Sequence, residues 1–331
     1  MSDRSPGRLL MNAVRLRRKG AAAPQVEQVG TADGHRRGIV RDMSKPGLLI
    51  VGALAAMTAL SAISPVRAEE TPQPPRESWS FSGPFGTFDR AQLQRGFKVY
   101  REVCSSCHAL SLIAFRNLSE PGGPEFSQSQ VKALAAEYQV TDGPNDAGDM
   151  FQRPGRPSDH FPPPFPNEQA ARAANGGALP PDFSLLAKAR TYERGFPWFI
   201  FDAFTQYQEQ GPDYIHAILT GYKDPPQGFQ LNPGQHYNEY FPGHRIAMPK
   251  PINDGQVEYP KDPDGKPQAP ETVEQYSRDV ASFMVWASEP HMEARKQMGF
   301  KVMIFLLVFA GLVYFTKKRI WAKLHDKEAH A

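Results

Sequence analysis

The chain's 2 cysteines stand three positions apart, in Cys104-Ser105-Ser106-Cys107-His108. Two thiols separated by two residues and followed directly by an imidazole form the pattern of c-type haem attachment. One helical turn brings both sulfurs to the two vinyl groups of a porphyrin, and the next residue sets an imidazole under its iron. Other readings compete. A thioredoxin-like dithiol needs a βαβ context, whereas the residues before Cys104 read as a helix. A zinc site needs further ligands at regular spacing, and none appears. A single disulfide or a chance match remains. The adjacent His, the absence of any other Cys and an export signal described below favour haem.

A His/Met pair gives a low-spin iron with raised potential, suited to electron transfer. Of the 10 methionines, Met1, Met11, Met43 and Met57 precede an expected cleavage site. Met298 and Met303 lie in a C-terminal apolar run, with Met292 at its edge. Met284 falls inside a helical stretch, where Met is usually core filler. Met150 and Met248 remain, both in loops. Met248 follows Phe241-Pro242-Gly243 and precedes Pro249, a stiff segment able to present a thioether, whereas Met150 sits in a Gly/Asp-rich stretch. Met248 is the residue chosen here. His160, His216, His236 and His244 are histidine alternatives, each otherwise a surface-loop residue.

The elements that must position these groups are mainly helical. The chain has 27 Gly and 32 Pro in 331 residues, which favours a loop-rich body. Residues 89–103 read as a helix with Thr87 as N-cap and Ala91, Leu93, Phe97, Tyr100 and Val103 on its apolar face. Residues 131–138 form a second, short helix. Residues 143–166 read as a loop dense in Pro, Asp and Gly. Asp182 can cap a helix over 184–190, and 214–222 is a further helix stopped by Pro225-Pro226. Residues 223–270 are mostly loop. The last helix of the body covers 271–287, capped near Thr272 and ended before Pro290. Strand signals are weak and there is no internal repeat, so the fold class is all-α with long ordered loops.

Charge and hydropathy place this body. The net +3 divides into +7 over residues 1–68, −9 over 69–290 and +5 over 291–331. A nucleic-acid binder carries its positive charge in the folded body, and this body has the opposite sign. The apolar run 48–63 follows Lys45 and precedes Val66-Arg67-Ala68, the pattern of a secretory signal peptide cleaved after Ala68. Met43 is a natural start for it, which leaves 1–42 as an extension without assigned function and 43–68 as the leader. The second run, 298–315, is 18 residues long and broken only by Lys301. At about 1.5 Å per residue it spans ~27 Å, close to a bilayer core. Tyr314 and Trp321 suit the aromatic belt, and Lys317, Lys318, Arg319, Lys323 and Lys327 keep the tail cytoplasmic. The expected domains are thus an exported haem domain over 69–290 and an anchor with its tail over 291–331, in the inner membrane.

Several ordered blocks resemble a known family. They are residues 95–104 (Arg-Gly-Phe-Lys-Val-Tyr-Arg-Glu-Val-Cys) and 170–182 (Ala-Ala-Arg-Ala-Ala-Asn-Gly-Gly-Ala-Leu-Pro-Pro-Asp). Next come Leu219-Thr220-Gly221-Tyr222, Asn238-Glu239-Tyr240-Phe241-Pro242-Gly243, Ile246-Ala247-Met248 and Trp286-Ala287-Ser288-Glu289-Pro290, with the tail anchor behind. Together, over residues of about 75 to 325, the chain resembles cytochrome c1, the haem subunit of the ubiquinol–cytochrome c oxidoreductase or cytochrome bc1 complex. The resemblance implies a class I c-type cytochrome-like helical domain with one haem c bound through Cys104 and Cys107. It implies His108 and Met248 as the iron ligands and Arg190 as the partner of a haem propionate. Asn175, Pro180, Pro181 and Tyr214 match positions lining the pocket. It also implies the route of the electron, from a Rieske iron–sulfur protein to a soluble cytochrome c, in a complex with cytochrome b. The acidic body fits a cationic acceptor. The segment 191–211 is longer than in the shortest family members.

Rival functions are another membrane-anchored c-type cytochrome of a terminal oxidase, a haem enzyme or gas sensor with an open iron position, and a haem-free thiol oxidoreductase. The 140 positions between His108 and Met248 argue against a minimal cytochrome core.

Overall fold

Asp89, not Thr87, starts the first helix. Its carboxylate accepts from the Gln92 amide and opens α1 (Arg90–Glu102). Leu93, Phe97 and Tyr100 recur on one face and are buried there, as is Val99. They pack against a later helix, α7 (Val273–Ser288), which Thr272 caps through the Gln275 amide. The two cross where a side chain is missing, since a Cβ on Gly96 would stand 2.1 Å from the Asp279 carbonyl oxygen. Beside this contact the wholly buried Asp279 carboxylate accepts from Arg95 at 2.8 and 3.2 Å, from the Tyr259 hydroxyl at 2.8 Å and from Gln275 at 2.8 Å. Every lone-pair direction of a buried charge is thereby used. Phe97, Tyr100, Phe161, Phe183 and Phe283 complete an aromatic core around the crossing.

The computed structural model describes the backbone of residues 71–190, 196–205 and 210–328. The expected extension 1–42 and leader 43–68 lie outside these residues. After α1 come α2 (Gln128–Ala136), the strands β1 (Gln139–Asp142) and β2 (Phe151–Pro154), α3 (Glu168–Ala174), α4 (Leu186–Ala189), α5 (Trp198–Thr205) and α6 (Gln210–Thr220). A small hairpin of β3 (His236–Tyr237) and β4 (Arg245–Ile246) precedes α7, and α8 (Met292–Glu328) ends the described chain.

Differences from the sequence expectations have local causes. Helix α2 begins ahead of residue 131 because Ser127 and Gln130 form a reciprocal capping box. Strands β1 and β2 pair antiparallel, Gln139 opposite Pro154 and Asp142 opposite Phe151, on ground expected to be mostly loop. Their signal is weak because Arg153 holds the hairpin through Asp142 and Asp159 rather than through an alternating apolar face. Asp182 does cap, but it caps the 3₁₀ turn Phe183–Leu185, which leads into the four-residue α4. Helix α6 starts at Gln210, before the expected residue 214. Helix α5 arises within 191–211, where no element was assigned.

Helix α8 is 37 residues long, about 55 Å, and outruns the apolar stretch at both ends. Among the described residues it is the one helix long and apolar enough to cross a membrane. Its first turns are fastened to the body. Glu293 accepts from Arg90 at 2.8 Å and from the Phe88 amide at 2.8 Å, and Lys296 donates to the Phe81 and Gly86 carbonyls at 2.6 and 3.2 Å.

Candidate haem site

Helix α1 ends at Val103, and the chain tightens into a 3₁₀ turn, Cys104–Ser106. The Cys107 and His108 amides both donate to the Cys104 carbonyl, at 3.1 and 2.9 Å. The two serines between the thiols turn back on the helix, Ser105 donating to the Arg101 carbonyl at 2.7 Å and Ser106 to the Val103 carbonyl at 2.9 Å. They satisfy carbonyls that a helix end leaves open. Two thiols and an imidazole are thus wound round one turn, and neither cysteine is in a disulfide. Cys104 packs against the core, and burial pushes its thiol up to about 12.

His108 is held from the far side of the chain. Its Nδ1 lies 2.8 Å from the Pro181 carbonyl. A carbonyl can only accept, so Nδ1 carries the proton and Nε2 keeps its lone pair. Burial holds His108 below the usual imidazole range, with the Pro181 bond opposing that shift, so the neutral ring is the favoured form. The ring packs on Phe183 at a centroid distance of 4.3 Å. Residues 109–112 and 181–184 are laced together around it. Asp182 accepts from the Ser111 amide at 3.1 Å and its hydroxyl at 2.5 Å, the Phe183 amide donates to the Ala109 carbonyl at 2.8 Å, and Ser184 accepts from the Leu112 amide at 3.0 Å.

The other expected residues fall into two groups. Pro180 and Pro181 are half-buried beside His108. They are reached through Asn175, which ends α3 by donating its amide to the Ala171 carbonyl at 2.7 Å, and through Gly176 and Gly177, both with φ positive. Arg190 is exposed at the end of α4, and burial pushes the Tyr214 phenol of α6 up, with the Arg190 charge acting against that shift.

Met248 is braced by a third set of elements. The Tyr222 hydroxyl donates to its carbonyl at 3.0 Å. Tyr222 follows the end of α6 after one intervening residue, Gly221, and bridges to the buried Asn238. The Asn238 amide group donates to the Ile218 carbonyl at 2.7 Å and its oxygen accepts from the Tyr240 amide at 3.1 Å. Gly221 leaves room for this hub, since a Cβ there would meet the Tyr240 ring and the Ala217 carbonyl at 2.7 Å. Tyr222 and Asn238 were not singled out from the sequence. Both stand in blocks quoted above, and the signal was their position immediately after a helix and before the Met segment.

The alternative ligands are differently employed. Met150 is exposed in the turn between β1 and β2, while Met284 and Met292 are buried in the core. His216 and His244, expected on surface loops, are both buried. His216 lies on α6 with Nδ1 2.8 Å from the Ser277 hydroxyl and Nε2 3.3 Å from Glu274. His244 Nδ1 is 3.2 Å from the Asn238 carbonyl, and His160 Nδ1 is 2.8 Å from that of Ser111. His236 is exposed in β3.

Two free thiols one turn apart, an imidazole with Nε2 open and a thioether on a braced loop suit an iron porphyrin. This donor set, on a helical body joined to one membrane-length helix, defines a membrane-anchored c-type cytochrome. Comparison with known proteins narrows the class. Residues 79–324 match the Cytochrome C1 family. The chain is 60% identical over 290 residues to a cytochrome b/c1 of Bradyrhizobium diazoefficiens, covering 86% of this chain and 41% of that protein. It is 49% identical over 277 residues to a cytochrome c1 of Blastochloris viridis, covering 83% and 96% of the two chains. A mitochondrial cytochrome c1 heme protein of Arabidopsis thaliana is 44% identical over 290 residues, covering 87% and 84%. The chain belongs to the Cytochrome C1 family. It is a membrane-anchored electron-transfer protein, and its cofactor is haem c.

Proposed function

We propose that the chain works within a cytochrome bc1 complex, beside a cytochrome b, taking single electrons from a Rieske iron–sulfur protein and passing them to a soluble cytochrome c. The observation that carries the site assignment is the 2.8 Å contact between His108 Nδ1 and the Pro181 carbonyl. It fixes the tautomer and aims Nε2, as the outer partner of a ligating histidine does. When bound, haem c supplies a one-electron Fe(III)/Fe(II) couple. Cys104 and Cys107 would tether it, and His108 and Met248 would hold its iron. Arg190 would pair with a propionate, and Tyr214 would line the pocket. Asn175, Pro180 and Pro181 shape the wall on the His108 side. The leader at 43–68 exports the body 69–290, and the basic tail after residue 316 stays on the cytoplasmic side. These assignments are supported by the hydrogen bonds to His108 and Met248 and by the charge pattern of the chain.

Purification from membranes in mild detergent tests the whole reading. A b-type cytochrome and a Rieske protein should co-isolate, and the chain should keep its haem stain on a denaturing gel. Loss of the pigment on unfolding would refute thioether attachment, and isolation without those two subunits would refute the complex.

A further inference from the structure

We propose that α5 and the residues leading into it lie in the lipid headgroup layer, as a second, interfacial foot beside the membrane helix. Four large apolar side chains are exposed within six residues: Phe196 (80%), Trp198 (54%), Ile200 (41%) and Phe201 (54%). Such a concentration of exposed apolar surface marks a contact site.

The roots of the segment show where it sits. In the chain, α4 precedes it and α6 follows it. A Cβ on Gly211 would stand 1.7 Å from the Ala187 carbonyl oxygen, so the start of α6 abuts α4. Lys188 of α4 pairs at 2.9 Å with Glu289, just past the end of α7, and Arg295 in the first turn of α8 pairs with the same carboxylate. Further along α6, His216 meets Ser277 and Glu274 near the start of α7. The N-terminal end of α6 therefore points to the C-terminal end of α7. The α4 side of the segment is thus tied through Glu289 to Arg295, immediately before the apolar run of α8, and the start of α6 is tied to α4.

That level selects the occupant. Trp is enriched at the membrane–water interface, and helices that lie in that layer carry Trp and Phe on their apolar face. A lipid surface accounts for the aromatic character and the position together. The bilayer is the one surface that the membrane helix of this chain itself brings to that level, and a neighbouring subunit there is the outcome that the second arm of the test detects.

The test uses the full chain with its haem in vesicles of phosphatidylcholine and phosphatidylglycerol. Thioether bonds consume Cys104 and Cys107, so a nitroxide attaches only to an added thiol. Labels at Phe196→Cys and Phe201→Cys are compared with one at Gln227→Cys, in an exposed loop. The expected result is an oxygen-to-nickel-complex collision ratio several-fold higher at 196 and 201 than at 227. Equal ratios would overturn the proposal. Loss of both kinds of collision in membranes holding the whole complex would also overturn it, in favour of a protein contact. Labelling of the unsubstituted chain would count against thioether attachment without disturbing the comparison, because that signal is common to all variants.

Discussion

Met248 and Tyr222 can be separated by substitution. Replacing Met248 with Leu removes the thioether proposed above as an iron ligand, and a thioether ligand raises the potential. The haem should stay attached, and its potential should fall by on the order of 0.2 V, within the roughly 0.8 V that axial ligands span. A redox titration reads this, and an unchanged potential would pass the ligand role to another residue. Tyr222→Phe keeps the ring and deletes one hydrogen bond to the Met248 carbonyl. Stability should drop by about 1 kcal/mol, and the potential should shift by far less than in Met248→Leu. Denaturant unfolding and the same titration measure the two effects. Cys104, Cys107, His108 and Met248 are singled out in the sequence by covalent spacing and stiff flanking residues. Tyr222 and Asn238 are not, because each acts on a backbone carbonyl distant in sequence. The burial of His216 was not legible, because its partners, Ser277 and Glu274, lie on another helix.

Among the elements, the contact of α1 with α7 governs whether the site forms, since α1 delivers Cys104. Asp279→Ala should destabilise the protein by about 3–5 kcal/mol, because Arg95 is then left buried without its partner. Chemical denaturation checks the value, and a change under 1 kcal/mol would mean that Arg95 is readily rehydrated. The α6–α7 contact carries a pH dependence. Burial holds His216 below its ordinary value of 6.5, against the pull of Glu274 and Asp213. Protons therefore bind the unfolded chain more readily, so this histidine costs no stability above 6.5 and lowers it as pH falls below. Melting temperatures between pH 7.5 and 5.5 should decline less in His216→Phe than in the parent, and parallel curves would contradict this. Both long body helices were readable from their apolar periodicity and, for α7, from its Thr272 cap. The hairpin of β1 and β2 was not, because its strands are largely exposed and held by the charges around Arg153. The start of α2 was missed because a capping box lies outside the apolar pattern that located the helix.

For the molecule as a whole, the division of charge matters most. With 19 basic and 28 acidic residues, the body between 69 and 290 should attract a cationic electron acceptor. Its reaction with a basic cytochrome c should slow steeply as salt rises, because complementary fields act over about 10 Å at 0.1 M. Stopped-flow rates over a salt series test this, and a flat profile would leave the acidity to solubility alone. The junction between body and anchor has a mechanical consequence. Glu293 and Lys296 lock the entry of α8 to backbone and side chains of the segment before α1. Such a joint behaves as a weld rather than a swivel. The body then keeps its orientation to α8, so whatever tilt the bilayer imposes on the helix is passed on to the turn that carries Cys104 and His108.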